Sequence, residues 1–258
     1  MSGGGQVRGP RVCVVIACFN QAHFLGDAIA SVLAQSRAAD QIIVVDDGST
    51  DDTSAVAEGF SAVQLIRQEN RGLAAARNRG WAETDCDYVV FLDADDLLLP
   101  AALAEGVSQF ERHGDCAFVV GHFRYVREDG RLLAQYDQEP IDSDAHMAFL
   151  RGNWVGMVAT AMFRREMLRA AGGFDESLAA GEDYDLYLRL TKDHPVHRHQ
   201  ALIADYRQHG QNMSADIGLM LPTILAILRR YEPASKDRQR HEAYRMGLSS
   251  WKKHYCDV

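Results

Sequence analysis

The stretch Val12-Cys-Val-Val-Ile-Ala-Cys18 is a continuous apolar run, rich in β-branched residues, near the start of the 258-residue chain. A run of this length and composition is typical of a strand that is buried on both faces of a parallel sheet. Apolar residues at the three-and-four spacing of an amphipathic helix follow through Leu33, and Gln41-Ile-Ile-Val-Val-Asp46 is a second buried run. We therefore predict a βαβ unit with a right-handed crossover.

The alternation of strand and helix continues after this unit. Val63-Gln-Leu-Ile66 and Tyr88-Val-Val-Phe-Leu92 are two more apolar runs, and the alanine-rich residues 72–82 between them favour a helix. After about residue 113, isolated strands are predicted at 117–120 and 196–203, and glycine turns separate elements of this half. The sequence therefore predicts an α/β fold whose mostly parallel sheet is flanked by helices, followed by an α+β half and a helical carboxyl-terminal extension.

The composition is that of a folded globular protein with a negative net charge. The chain has 36 acidic and 27 basic side chains, which gives a formal net charge of -9. A duplex nucleic acid would be repelled by this charge, so we expect no nucleic acid partner. The five cysteines form no CxxC pair and the first residues contain no apolar signal sequence, which predicts reduced thiols in a cytoplasmic protein.

The tetrad Asp93-Ala-Asp-Asp96 stands at the carboxyl end of the predicted strand 88–92. In an extended segment Asp93 and Asp95 point to the same side, and Asp96 turns away. Two converging carboxylates repel each other unless a cation lies between them, and Mg²⁺ or Mn²⁺ completes such a site with phosphate oxygens. The tetrad thus predicts a site for a metal and a phosphate, with an acidic turn that caps the following helix as the alternative.

Polar residues also follow the first two strands, at Asn20 and at Asp46-Asp47. Ligands of open α/β sheets bind beyond the carboxyl ends of the strands, so we expect these residues and the tetrad to meet at one edge. A carboxylate at the end of the second strand can accept hydrogen bonds from a base or a ribose. A turn with a helix cap explains the same residues, and the sequence leaves both interpretations open.

Five ordered motifs, which span about residues 10–215, resemble those of the family 2 glycosyltransferases. They are Val15-Ile-Ala-Cys-Phe-Asn20, Val45-Asp-Asp-Gly-Ser-Thr-Asp51, Asn70-Arg-Gly-Leu-Ala-Ala-Ala-Arg-Asn78, Phe91-Leu-Asp-Ala-Asp-Asp96 and Gly181-Glu-Asp183. The resemblance implies the GT-A fold, a Rossmann-like α/β arrangement, and inverting transfer of a sugar from a nucleoside diphosphate donor. It also implies a DXD motif with Mn²⁺ or Mg²⁺ as cofactor, and an acceptor hydroxyl on a glycan, a lipid-linked sugar or a small molecule.

The resemblance implies a role for each matching residue. Asp47 contacts the nucleobase, and the tetrad serves the ribose and the metal-bound diphosphate, with the directly ligating aspartate left open. His209, in the late motif 206–214, is a further candidate metal ligand. The candidate substrate-binding residues are Ala17, Phe19, Asn20, Asp47, Arg71, Gly72, Arg77, Asp93, Ala94, Asp95, Trp154 and Glu182, and the candidate metal ligands are Asp95, Asp96 and His209.

The general base is expected at Asp183. An acceptor hydroxyl that attacks the anomeric carbon must lose its proton as the new bond forms, and one carboxylate opposite the leaving diphosphate is sufficient. The resemblance places this base in the Glu182-Asp183 pair, which by itself would be the acidic first turn of a helix. Trp154 is expected either to stack on a sugar ring or to fill the core.

The chain is divided by these roles into four segments. Residues 1–9 form a flexible leader, residues 10–112 the half that binds the nucleotide sugar, residues 113–215 the acceptor-binding and catalytic half, and residues 216–258 a helical extension. If Asp47 accepts a hydrogen bond from a ring N–H, uracil or thymine donors are favoured, while guanine stays open. Leu219–Leu228 is interpreted as a packing helix, with peripheral membrane contact or a homo-oligomer contact as the alternatives.

Other functions fit parts of the sequence. A nucleotidyltransferase also needs strand-end carboxylates, but it usually needs a glycine-rich basic loop where Ala17–Gln21 stands. A catalytically silent sugar-nucleotide-binding or assembly protein could share the fold. The chain has no Gln-x-x-Arg-Trp motif of processive polymerases, which favours transfer of a single sugar. Zinc at His194, His197 and His199 is disfavoured because no fourth ligand is near in the sequence.

Overall fold

The computed structural model describes residues 8–136, 140–141, 144–210, 212–234 and 236–256. Within these ranges nine strands form a single sheet. The strands are β1 (Val12–Cys18), β2 (Gln41–Asp46), β3 (Val63–Arg67), β4 (Tyr88–Asp93), β5 (Leu97–Leu98), β6 (Phe118–Arg127), β7 (Leu132–Gln135), β8 (Ala161–Arg164) and β9 (Val196–Gln208). The predicted leader falls mostly on residues 1–7, which lie outside the described residues.

Helices cover both faces of this sheet and form the carboxyl-terminal part of the chain. In the described ranges they are α1 (Ala22–Leu33), α2 (Thr53–Glu58), α3 (Leu73–Ala82), α4 (Ala102–Arg112), α5 (Ala145–Arg151), α6 (Arg165–Ala171), α7 (Glu182–Thr191), α8 (Ile217–Arg230) and α9 (Arg238–Cys256). The mixed α/β class predicted from the sequence is therefore confirmed.

The strand order is β3-β2-β1-β4-β8-β6-β9-β5, and β7 pairs with β6. The first four strands are parallel, as repeated βαβ units require. β8 joins β4 in the antiparallel direction, and β6 then joins β8. The sheet therefore continues from the first half of the chain into the second. The predicted functional boundary after residue 112 falls between α4 and β6 and stays a prediction.

β1 lies at the centre of the parallel part, and none of its residues is more than 5% exposed. Because side chains alternate along a strand, Val14 and Ile16 pack beneath α1 and α4, whereas Cys13 and Val15 face the side covered by α3 and α7. Burial of one Val or Ile side chain contributes about 1.5–3 kcal/mol. This strand therefore holds both layers of helices to the sheet.

The helical extension packs against the rest of the chain. Four apolar residues of α8, Ile224, Leu225, Ile227 and Leu228, are at most 9% exposed. α9 in turn contacts both α5 and α8. The interpretation of Leu219–Leu228 as a packing helix is confirmed for these residues. Among the residues that the structure describes, no helix has the length and apolar character needed to cross a membrane.

The second half differs from the sequence-based expectation in two strands. The sequence predicts strands at 117–120 and 196–203, but β6 extends to Arg127 and β9 to Gln208. The two strands pair in parallel over most of their length, with register shifts near His122. Polar residues are mixed with apolar ones along both extensions, so no continuous apolar run marks where these strands end. The longer β9 is what delivers residues 206–209 to the functional site.

Candidate active site

The carboxyl ends of β1, β2 and β4 meet at one edge of the sheet. Ala17 pairs with Asp93 across β1 and β4, and Cys18 pairs with Asp46 across β1 and β2. Ala17 and Ala94 are buried small residues beneath this edge, whereas the neighbouring Phe19 is 46% exposed. The convergence predicted for the three strand ends is thus observed.

Asp47 fixes the turn that begins α3. One carboxylate oxygen accepts hydrogen bonds from the main-chain N–H of Arg71 at 3.0 Å and from the Gln68 amide at 2.7 Å. The other oxygen accepts from the Gly72 N–H at 2.8 Å. Asp47 is only 3% exposed, so this carboxylate shapes the loop at the sheet edge. Its contact with a nucleobase stays a prediction.

The loop after β2 approaches this turn closely because residue 48 is a glycine. Gly48 has φ +79°, and a Cβ atom there would lie 2.7 Å from the main-chain nitrogen of Asn70. The conformation and the space both exclude a larger side chain. Asn20 also has a positive φ of 54°, and its side-chain oxygen accepts from the Thr50 N–H at 2.8 Å. These contacts hold the ends of β1 and β2 together.

Arg77 joins the acidic tetrad to α7. Its guanidinium donates to Asp93 at 2.6 Å and to Glu182 at 2.5 Å, and the side chain is 3% exposed. It also lies over the Phe174 ring, 5.5 Å from the centroid. Burial raises the pKa of Glu182, and the positive charge of Arg77 opposes that rise. Arg77 is therefore an internal ion-pair partner of the two carboxylates.

Asp183 lies in the first turn of α7, beside this ion pair. One of its carboxylate oxygens accepts from the Tyr184 N–H at 2.7 Å. Burial raises the pKa of Asp183, and Arg77 opposes the rise. A carboxylate with a raised pKa is a stronger base, which is what proton removal from a hydroxyl requires. Gly181 begins the helix with φ +68° and sits against the Ile227 side chain, so α8 supports this turn.

Asp95 faces the site together with the residue before α1 and the residue after β9. Its Oδ2 atom accepts from the Gln21 amide at 3.1 Å and lies 2.9 Å from Nε2 of His209. Burial and the nearby charge of Asp93 raise the pKa of Asp95. A cation bound beside Asp95 would favour the charged form of this carboxylate.

Asp96 turns into the fold. It is 2% exposed, and its carboxylate accepts from the main-chain N–H of Arg207 at 2.9 Å. Burial, followed by the charges of Asp95 and Asp93, raises its pKa well above the ordinary range. The predicted divergence of Asp96 from its neighbours is observed. Its place as a metal ligand stays a prediction, and its observed contact fixes β9 to the tetrad.

His209 is held beside Asp95 by the end of β9. Its main-chain N–H donates to Asn212 at 2.6 Å, and its ring lies 4.9 Å from the Phe24 ring. Asp93, Asp95 and His209 offer oxygen and nitrogen donors of the kind that Mg²⁺ and Mn²⁺ accept. In the part of the chain that the structure describes, no three His, Cys, Asp or Glu side chains are placed to hold a metal by themselves. A cation here would need ligands from the substrate.

The remaining predicted residues have structural contacts. The Trp154 indole donates to the Ala148 carbonyl at 2.7 Å and packs against the core. The Arg71 side chain is 63% exposed and pairs with Glu176 at 2.8 Å. Trp154 therefore matches the core-filling alternative, and Arg71 lies at the rim of the sheet edge with its guanidinium accessible to a ligand.

Sequence reasoning missed the contact between Gln21 and Asp95. Gln21 directly follows the first strand-end motif, so its position beside Asn20 was the available signal. It also missed Tyr255, whose pKa is raised by burial and then by the negative charge of Asp183. No motif marks Tyr255, because it lies on α9, whose place in the fold is set by packing against α5 and α8.

The chain belongs to a known family. Residues 13–172, more than half of the chain, match the family described as Glycosyl transferase family 2. The chain is thus a family 2 glycosyltransferase with a GT-A-type fold, as the sequence motifs indicated.

Relatives with curated descriptions share this family. The chain is 29% identical to the succinoglycan biosynthesis protein ExoU of Rhizobium meliloti (strain 1021), over 90% of this chain and 75% of that protein. It is 28% identical to the chondroitin synthase of Escherichia coli over 80% of this chain, which spans only 30% of the synthase.

Solved structures share the fold. S. aureus TarS in complex with UDP-GlcNAc superposes with a TM-score of 0.75 at 16% identity, covering 95% of this chain and 73% of that chain. The mannosyltransferase PcManGT from Pyrobaculum calidifontis, in complex with GDP-Man and Mn2+, gives a TM-score of 0.70 at 19% identity, covering 95% of this chain and 74% of that chain.

Proposed function

We propose that the chain is an inverting glycosyltransferase that moves a single sugar from a uridine or thymidine diphosphate sugar to a hydroxyl acceptor. The observation that supports this best is the Arg77 bridge, which links Asp93 of the tetrad to the α7 turn that contains Asp183. The bridge brings a candidate diphosphate site and a candidate base into one site. The relatives named for succinoglycan biosynthesis and for chondroitin synthesis support a role in glycan biosynthesis.

The proposed reaction is a single displacement. The acceptor hydroxyl oxygen forms a bond to the anomeric carbon while the bond from that carbon to the diphosphate oxygen breaks on the opposite face. The hydroxyl proton passes to the carboxylate of Asp183, and the diphosphate leaves with the electron pair. The raised pKa of Asp183 suits this proton transfer.

The donor is expected to lie along the sheet edge. The Asp47 loop would contact the base, and Phe19 provides an exposed ring next to it. Guanine stays open as a base, because structural neighbours of the chain include complexes with UDP-GlcNAc and with GDP-Man. Mn²⁺ or Mg²⁺ would be held by Asp95, with Asp93 and His209 beside it. Such an ion neutralises charge on the leaving diphosphate.

The proposal is tested first by donor binding. The chain is mixed with UDP-glucose, UDP-GlcNAc, dTDP-glucose or GDP-mannose, with Mn²⁺ or with EDTA, and thermal unfolding is followed. A ligand that binds only the folded state raises the melting temperature, so one donor should do so in a metal-dependent way. Asp95→Ala should remove this shift, whereas the exposed Asp52→Ala should keep it. Stabilisation that survives both EDTA and Asp95→Ala would exclude the metal-diphosphate assignment.

The base is tested by turnover. Asp183→Asn keeps the shape of the side chain and removes its basicity, so release of nucleoside diphosphate should fall about 10²–10⁴-fold with donor binding retained. Asp193→Asn, an exposed site just after α7, is the matched control. Unchanged turnover in Asp183→Asn would remove this residue from the mechanism. Donor binding without any turnover in the unmodified chain would instead favour the silent sugar-nucleotide-binding protein.

A further inference from the structure

The carboxyl-terminal extension differs in charge from the rest of the chain. Residues 217–256, which form α8 and α9, have eight basic and three acidic side chains, a net charge of +5. The remaining residues have 19 basic and 33 acidic side chains, a net charge of -14. A cationic surface on an otherwise acidic protein orients the molecule toward an anionic partner.

The cations of α9 lie along its exposed face. Arg238, Arg245 and Lys252 are spaced by seven residues, which is close to two helical turns, so they form one line along the helix. This line is about 21 Å long, at 1.5 Å per residue. Lys253 follows at its end, and all four residues are exposed. Glu242, on the same face, is the one acidic residue of α9.

The opposite face of α9 is used for packing inside the protein. Ala243, Tyr244, Gly247 and Tyr255 are buried on it, and the helix contacts α5 and α8 there. Within the described ranges, the four cations of the exposed face form no ion pair with a carboxylate of the chain. Their charge is therefore available to a partner.

Exposed apolar side chains accompany these cations. Met246 is 52% exposed and directly follows Arg245. The last turn of α9 lines a cleft together with Leu133 and Ile217, each of which is 42% exposed. A membrane surface accepts aliphatic side chains at the boundary between head groups and acyl chains. A nucleic acid binds aromatic rings and cations instead, so the aliphatic residues favour a membrane.

We infer that the exposed face of α9 binds the surface of a membrane that contains anionic phospholipids. The line of cations contacts the head-group phosphates and Met246 enters the interface, while the acidic remainder of the chain faces away. The contact is peripheral and uses α9, since the apolar residues Ile224, Leu225, Ile227 and Leu228 of α8 are buried. The inference does not depend on the proposed transferase reaction, because it uses no residue of the candidate active site.

The test measures co-sedimentation of the full-length chain with vesicles of phosphatidylcholine, with or without phosphatidylglycerol. The chain should sediment with the anionic vesicles only, and added salt should weaken binding because it screens exposed charges. The triple variant Arg238→Gln, Arg245→Gln and Lys252→Gln should bind about 100-fold more weakly, since each cation near the surface contributes a factor of about five.

A matched control changes the same number of charges elsewhere. Arg67→Gln, Arg79→Gln and Arg112→Gln replace exposed arginines on β3, α3 and α4 and should keep vesicle binding within about twofold of the unmodified chain. Lys253→Gln alone should bind about fivefold more weakly, and this single change near the end of α9 keeps the test informative if the triple variant unfolds.

Cys256 reports which face meets the membrane. It follows Arg238 by eighteen residues, five helical turns, so it lies on the same face. The other four cysteines are buried, so a thiol-reactive fluorophore labels Cys256 selectively. Emission of an environment-sensitive label there should shift to shorter wavelength with anionic vesicles, and the shift should be lost in the triple variant.

Several outcomes would overturn the inference. One is equal loss of binding in the triple variant and in its control. Equal binding to both kinds of vesicle, or binding to neither, is another. Binding of the unmodified chain to a DNA duplex, with none to anionic vesicles, would assign the basic face to a nucleic acid instead.

Discussion

The edge of the sheet where β1, β2 and β4 end, which is the proposed donor edge, and a cleft of about 950 Å³ between the β6–β7 hairpin, the end of β9 and α9 are built in different ways. At the donor edge, carboxylates of Asp46, Asp47 and Asp51 accept hydrogen bonds from main-chain N–H groups in the loops that follow β1, β2 and β3. The cleft is instead enclosed by three segments that are distant in sequence, and Leu132 and Leu133 of its hairpin are 53% and 42% exposed. The donor edge is thus fixed locally by turns, whereas the cleft depends on packing between remote elements.

The largest expected effect comes from breaking the link between the donor edge and α7, which Arg77 forms through Asp93 and Glu182. Arg77→Ala leaves the buried Glu182 and the half-buried Asp93 without their cation. Removal of one partner from a buried ion pair commonly costs about 3–5 kcal/mol, and the raised pKa of Glu182 allows part of this cost to be relieved by protonation. The free energy of unfolding, measured in urea, should fall by an amount near the lower limit of this range. Arg79→Ala, whose exposed pair with Glu83 is worth under about 1 kcal/mol, is the control.

Equal losses of stability in the two arginine variants would show that the donor edge and α7 are held together without Arg77. If Arg77→Ala loses more stability at pH 8 than at pH 5, this would support a raised pKa of Glu182. Glu182 has a raised pKa in the folded protein, so its charge disfavours the fold as pH rises, and Arg77 limits this effect.

A smaller effect is expected from Gly48→Ala, which tests how tightly the donor edge is fixed. The new Cβ would stand 2.7 Å from the Asn70 nitrogen, and φ is +79°. Strain from the left-handed backbone alone costs about 1–2 kcal/mol. Gly130→Ala is a matched control, since its φ is also +79° but nothing lies within 4 Å of the new atom. Gly48→Ala should therefore lose more stability than the control. Equal losses would mean that the loop at Asn70 can move away from the new Cβ atom without a loss of stability.

The smallest expected effect concerns the loop before α7. Hydrogen bonds from Ser177 and then Arg230 lower the pKa of Asp175 to about 2. Because the folded-state pKa is depressed, the stabilisation is present above the ordinary value near 3.8 and is lost as pH falls toward 2. Asp175→Asn should cost under about 1 kcal/mol at pH 7, as expected for a partly exposed ion pair. The free energies of unfolding of Asp175→Asn and of the unmodified chain should differ less at pH 2.5 than at pH 7. A difference that is the same at both pH values would contradict this prediction.

Local patterns in the sequence were sufficient to predict the strands that form the donor edge. The predicted runs at Val12–Cys18 and Gln41–Asp46 have the bounds of β1 and β2, because a strand buried on both faces is apolar throughout. The meeting of their ends with Asp93 follows from parallel pairing. The second half was less predictable, since β7 and the extensions of β6 and β9 are partly exposed and have polar residues within them.

The sequence by itself determined the α/β class, the family and the strand-end positions of the acidic residues, because hydrophobic periodicity and motif order are local properties. Only the tertiary structure decided which carboxylates have internal partners. Asp96 binds a main-chain N–H of β9, and Asp93 binds Arg77, whereas Asp95 faces Gln21 and His209. It also decided that α9 packs against α5 and α8. Such contacts join residues far apart in the chain, and their geometry follows from how the sheet and the helical extension pack.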